Sequence, residues 1–222
     1  MRYYKSRGNV SNILLLVAIL GVVIILMYNI KKREFKLPTF SPKLTQFAEA
    51  AKEINGIYYN KPFRFSISAP DSNWKFIYSP EIDSSVLVRS SENNPQFIVK
   101  ISRHEKNDTL AIVNVGLFQL EEMISPKNLA ARNLRQIKNR YKTKEKAVSV
   151  ISDVVVAGTG YMVGAFYMVE LPQKSTHPYP VWVTMFFIRK DLAFKIFCRL
   201  KRDKYEFLKT DIEQILKNFK FI

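Results

Sequence analysis

Few residues in this chain carry side chains suited to catalysis, and their spacing limits what they could do. His104 stands between Arg103 and Glu105, and His177 lies in the segment Pro172–Pro180. Neither belongs to a metal-ligand spacing such as H-E-x-x-H or to paired cysteines, so both read as surface histidines, and no metal or cofactor is expected. Cys198 is the single cysteine. It could act as a nucleophile only with a histidine brought beside it by folding. Its place on the apolar side of an alternating segment reads as a core thiol. Glu121 and Glu122 are adjacent, and a helix would point them apart. The run Gly158-Thr159-Gly160-Tyr161-Met162-Val163-Gly164 misses the dinucleotide-loop spacing by one and is followed by a strand pattern, so it reads as a hairpin turn. An enzyme using Cys198 or His104 is therefore the weakest of the functional readings, and the chain is expected to be non-catalytic.

The distinctive polar feature is positive charge. Lys plus Arg number 35 against 19 acids, a net +16. Seven bases and one acid fall in the first 36 residues, so the remainder is basic in its own right. Eight bases and one acid lie between Lys127 and Lys146. Arg132, Arg135, Lys138, Arg140 and Lys142 flank or oppose an apolar helical stripe, and a second cluster holds Arg199, Lys201, Arg202 and Lys204. One reading is a solvated face. The functional reading is a docking surface for anionic headgroups or an acidic protein. No nucleic-acid motif accompanies the bases, which places nucleic acid last among the partners.

The elements that must carry these residues begin with an apolar run. Ile13–Ile30 contains no charge, and as a helix it would reach about 27 Å, close to a hydrocarbon core of about 30 Å. It is longer than a cleavable signal and ends without a small-residue cleavage site. The expectation is a basic tail over 1–12, a single-pass transmembrane helix over 13–30, and a basic flank, linker and amphipathic stem helix over 31–56. An α+β domain follows over 57–222. Basic residues flank the span equally; a signal-anchor orientation places the domain on the extracytoplasmic side.

Within the domain, Phe63, Phe65 and Ile67 alternate as a half-buried strand, and a turn leads into Trp74. Val86–Arg89 and Phe97–Ser102 read as strands. The stretch Leu110–Ile124 is ambiguous, β-branched first and helix-favouring later. Ser125-Pro126 opens a helix to about Tyr141, with Ala130, Leu134, Ile137 and Tyr141 on one face. Val148–Val156, Tyr161–Leu171, Val181–Ile188 and Ala193–Leu200 form a four-strand meander. Lys204–Asn218 is an amphipathic helix, and Phe219–Ile222 closes as a short strand. Antiparallel strands with inserted helices give an α+β fold, a curved antiparallel sheet packed by helices.

The run Asn60-Lys61-Pro62-Phe63-Arg64-Phe65-Ser66-Ile67-Ser68-Ala69-Pro70, followed by Trp74, resembles the start of PsbP/Mog1/DcrB-like domains. The terminal helix running into Asn218-Phe219-Lys220-Phe221 resembles their ending, with Asn218 where the family usually has serine. The likeness spans residues 57–222. It implies α/β/α layers and a non-enzymatic accessory, assembly or docking module of a larger complex, often at a membrane surface. It carries over no functional residue.

Overall fold

The computed structural model describes residues 51–78, 90–142, 147–159, 162–172 and 177–222, all within the unit Pro38–Ile222. The apolar run 13–30, most of the stem, the strand expected at 86–89, and Lys144 and Lys146 lie outside them. Among the described residues no helix is long and apolar enough to cross a membrane.

Two antiparallel sheets organise the fold. The smaller joins β1 (Ala51–Ile54), β2 (Ile57–Asn60), β3 (Phe65–Ser68) and β11 (Lys220–Phe221) in that order. The larger runs β4 (Trp74–Tyr78), β5 (Gln96–Glu105), β6 (Asp108–Gln119), β10 (Leu192–Leu200), β9 (Val181–Arg189), β8 (Met162–Glu170) and β7 (Ser149–Thr159). Among the described residues the α-helices are α1 (Pro126–Arg140) and α2 (Tyr205–Lys217). The fold is antiparallel α+β as expected, with two sheets in place of one.

Two local readings change. Residues 51–54 are a strand, not the end of a stem helix, so the folded unit starts before residue 57. Asn55-Gly56 is a two-residue hairpin turn, both residues at positive φ (51° and 74°), joining Ile54 to Ile57. That dipeptide matches the twist of paired strands, and tertiary pairing overrides the helical spacing of Ala51 and Ile54. Leu110–Gln119 is strand throughout, because β6 lies between β5 and β10 and nearly all of it is buried. As expected, a turn leads into Trp74, which begins β4, and its indole Nε1 donates to Asp211 Oδ2 at 3.0 Å, tying β4 to α2.

The alternation of side chains assigns each sheet face its own core. On the first face Val183, Met185, Phe187, Phe194, Ile196, Cys198 and Leu200 meet Leu208, Ile212 and Ile215 of α2, together with Phe65 and Ile67 of the small sheet. Phe219 stacks on Phe187 and Phe65 at 4.9 and 5.4 Å, and Phe221 meets Phe194 edge-on at 4.9 Å. The chain end is locked there, with Phe221 opposite Phe65 in register and Ile222 N donating to Arg64 O. Gly164 serves this core: a Cβ there would come within 2.6 Å of the Phe187 ring.

The second face carries α1. β6 ends beside β10, and the next strand, β7, lies at the far edge of the sheet. That shift crosses four strand spacings, about 19 Å. A 15-residue helix covers about 22 Å. The connecting helix is therefore laid across the sheet, and α1 packs on β8, β9 and β7. Ser125 caps it, its hydroxyl accepting from Asn128 N, with Pro126 at the first turn. Leu129, Ala130, Leu134 and Ile137 bury against Ala165, Tyr167, Val169, Trp182 and Phe186.

Candidate functional site

Beneath α1 the second face is not wholly apolar. Ala130, Leu134 and Ile137 set the buried stripe, and Asn133 falls within it at helical spacing, 3% exposed. Opposite it on β8 is Tyr167, whose hydroxyl donates to Asn133 Oδ1 at 2.6 Å. Asn133 Nδ2 donates to Glu92 Oε1 at 2.9 Å, and Arg132 Nε donates to Glu92 Oε2 at 2.9 Å. Arg132 reaches Glu122 at 2.7 Å with its other arm. Tyr167, Asn133, Glu92, Arg132 and Glu122 thus form one continuous polar chain from the sheet to the surface.

The loop carrying Glu92 is built to hold it there. Ser91 and Asn94 exchange backbone hydrogen bonds at 3.1 Å, closing a tight turn. The loop then lies over Gly116 of β6, where a Cβ would sit 3.0 Å from both Pro95 and the Phe97 ring. Glycine at 116 lets Pro95 and Phe97 lie on the strand, which brings Glu92 over α1.

Burial and pairing set the electrostatics. Burial opposes the charge of Arg132, but Glu92 and Glu122 outweigh it and hold the guanidinium above its usual range. Burial drives the Tyr167 hydroxyl well up, so it stays a proton donor. Lys195 of β10 projects to the same face. Its Nζ has one long hydrogen bond, 3.4 Å to the Glu92 carbonyl, and lies 5.6 and 5.7 Å from the centres of the Phe186 and Phe197 rings. Burial pushes its pKa down to about 8, Glu92 partly opposing the shift and Arg140 adding to it. Between these groups is a cleft of about 190 Å³ whose walls include Phe97, Trp182, Phe197 and Thr184.

The eight bases expected to form one surface have three fates. Arg135, Lys138, Arg140 and Lys142 are exposed on or just past the second half of α1. Among the described residues none of these four is in an ion pair. Arg132, Lys201 and Arg202 are engaged by Glu92 and Glu122, by Asp108, and by Glu170 respectively. Arg199 is half-buried with its guanidinium 5.6 Å from the Phe197 ring centre, and burial lowers its pKa. Of these eight, the exposed bases without an ion pair among the described residues are those on α1 and at its end.

The histidines are more engaged than surface residues. His104 is held by Ser102 Oγ at 2.9 Å and Thr109 Oγ1 at 3.2 Å. His177 accepts from Tyr179 N and meets the Trp182 ring edge-on at 5.5 Å. Cys198 is a core thiol as expected, fully buried, its pKa raised by burial alone. It projects into the first core, while His104 lies on β5, two strands away across β6. A Cys198–His104 pair is not formed. Among the described residues no group of three or more acidic, histidine or cysteine side chains is placed to hold a metal ion.

Sequence reasoning missed Glu92, Asn133, Tyr167, Thr184 and Lys195. A signal existed for Asn133, a polar residue on an apolar helical stripe. None existed for Lys195, which alternation alone sends to solvent.

The architecture defines a PsbP-like fold. The chain is similar to the solution structure of cyanobacterial PsbP (CyanoP) from Synechocystis sp. PCC 6803, with a TM-score of 0.52 at 7% sequence identity, covering 78% of this chain and 94% of that one. At that identity the likeness establishes the fold alone. A crystal structure from Bacteroides thetaiotaomicron VPI-5482 matches with a TM-score of 0.36 at 10% identity, over 72% of this chain and 45% of that chain, and carries no argument. No family model and no curated protein matches the chain in sequence.

Proposed function

We propose that this chain is a non-catalytic accessory module that docks to a larger membrane-associated complex. Its segment Ile13–Ile30 acts as the membrane anchor, and the domain lies on the extracytoplasmic side. The observation that carries the docking reading is the division of charge on α1. Arg132 and Asn133 are spent holding the helix to Glu92, whereas Arg135, Lys138 and Lys142 face outward and Arg140, also exposed, borders the cleft. A helix fastened along one side with bases displayed on the other suits an acidic protein surface, since charge complementarity raises the rate of encounter and fixes orientation. The PsbP-like fold supports the same reading through the accessory roles its resemblance implies.

The test uses the full-length chain in mild detergent. Cross-linking is expected to recover it in an assembly, and the variant Arg135→Glu, Lys138→Glu, Lys142→Glu to release it. A strictly monomeric particle with no cross-linked partner overturns the reading. An anionic bilayer is the competing partner for the same bases, each contributing about 1 kcal/mol near a charged surface. Co-sedimentation with phosphatidylglycerol vesicles that the same variant abolishes, without an assembly, would favour that alternative.

A further inference from the structure

The cleft between α1, β9 and β10 contains polar groups that the surrounding protein leaves under-satisfied. Thr184 is 0% exposed and its Oγ1 has no hydrogen-bond partner. It lies near enough to the Tyr167 hydroxyl to favour that group's ionised form, yet outside hydrogen-bonding geometry. The buried Oε1 of Gln136 on α1 is likewise without a partner. Lys195 Nζ offers three donors and uses one, on a long bond. All three residues line the same cleft. Buried polar groups are nearly always hydrogen-bonded, and two exceptions beside a weakly bonded lysine on one cavity ask for an occupant.

The chemistry of that occupant can be read from the lining. The nearby carboxylate that could neutralise Lys195 is Glu92, and both its oxygens are committed to Arg132 and Asn133. Lys195 and Arg140 therefore leave the cleft positive, which calls for an anion. The Thr184 hydroxyl can donate to the same anion. Gln136 Oε1, as oriented, calls for a donor. Phe97, Trp182 and Phe197 supply an apolar wall. At about 190 Å³ the cavity is below the range of about 300–1,000 Å³ usual for drug-sized ligands, so the occupant is the size of a single residue.

We propose that this cleft is a binding site for a small carboxylic acid with a hydrogen-bond donor beside the carboxylate and a compact apolar group. The carboxylate would lie against Lys195 and Thr184, the donor against Gln136, and the apolar group against Trp182 and Phe197. An apolar amino acid, a 2-hydroxy acid and the last residue of a peptide share this chemistry. The site does not depend on the docking reading, since Arg135, Lys138 and Lys142 take no part in it.

The test is isothermal titration of the full-length protein in mild detergent with L-leucine, L-phenylalanine, 2-hydroxy-3-methylbutyrate and the dipeptide glycyl-leucine, with leucinamide as the control lacking a carboxylate. Binding of one or more of the acids is expected, and at least tenfold weaker binding of leucinamide. Lys195→Met is expected to lower affinity at least tenfold, and Thr184→Val several-fold. The isosteric Thr184→Val keeps the proposal falsifiable should Lys195→Met misfold. Preference for free acids over the dipeptide identifies a metabolite; the reverse identifies a chain terminus. The proposal is overturned if none of the acids binds at millimolar concentration, if leucinamide binds as well as leucine, or if a folded Lys195→Met or Thr184→Val protein binds like the wild type.

Discussion

The two faces of the seven-stranded sheet are made from the same strands yet solve different problems. On β9 and β10 successive residues go to opposite sides. Val183, Met185, Phe194, Ile196 and Cys198 enter a dry core shared with α2 and the small sheet. Thr184, Lys195 and Arg199 turn toward the face that carries α1. The first face is packed by interlocking aromatic rings and carries, beside α2, an apolar cleft of about 290 Å³ lined by Val183, Met185, Leu200 and Ile212. The second retains a chain of hydrogen bonds and a cleft. An interior without polar groups is governed by packing and tolerates little change of shape. One with partly satisfied polar groups gives up some stability and can hold a ligand or partner. The contrast teaches that apolar packing and buried polar groups are separated here by strand alternation, not by domain.

Four measurements would break or sharpen this contrast. The largest effect belongs to the first face. Phe219→Ala removes a fully buried ring stacked on two others and is expected to cost about 3–5 kcal/mol in denaturant unfolding. A loss under about 1 kcal/mol would show that the C-terminal segment is not part of the cooperative core.

Next comes the pH response of Lys195. Its folded-state pKa is lowered to about 8, against about 10.4 when unfolded. The native state therefore sheds this proton first. Charging Lys195 destabilises the fold below pH about 8, and stability rises as the pH climbs from there toward about 10. The span is worth up to about 3 kcal/mol at about 1.36 kcal/mol per unit. Tyr58, pushed up to about 12 by burial, works in the opposite direction above pH about 10, so the difference between wild type and Lys195→Met isolates the lysine. Wild-type stability should rise relative to the variant over this window, and parallel curves would place Lys195 in water.

Glu92→Gln tests the polar chain itself. It weakens the link to Arg132 and can leave a donor facing Asn133, at a cost of about 1–3 kcal/mol. Amide hydrogen exchange should quicken in α1 while the first core stays protected. Uniform quickening would mean that the two faces unfold as one.

The smallest effect belongs to the surface. Asp71 accepts from Arg103 at 2.7 and 2.9 Å. Slight burial works against its charge, but hydrogen bonds from Asn73 and Arg103 outweigh that and hold the carboxyl below its usual range. Its contribution is therefore present above pH about 4 and lost as the pH falls. Asp71→Asn should cost about 0.2–1 kcal/mol, shrinking in high salt. A larger, salt-independent loss would mark it as part of the buried framework.

The sequence by itself determined the elements whose cause is local. Ser125-Pro126 supplied a cap and a pre-set φ, so the start of α1 was legible. Phe194, Ile196, Cys198 and Leu200 alternate, so β10 and the burial of its thiol were legible too. Charge on α1 was legible as a count, but which bases stay free was decided by Glu92 and Glu122, which reach Arg132 from distant segments. Tertiary structure alone paired β6 with β10, made Asn55-Gly56 a hairpin turn instead of a helix end, and laid Pro95 and Phe97 over Gly116. The physical reason is that a period of two fixes which side chains share a face, while the partner brought onto that face depends on strand order and chain crossings. The anchor-like run Ile13–Ile30 is a sequence statement, and the cleft at Lys195 a tertiary one.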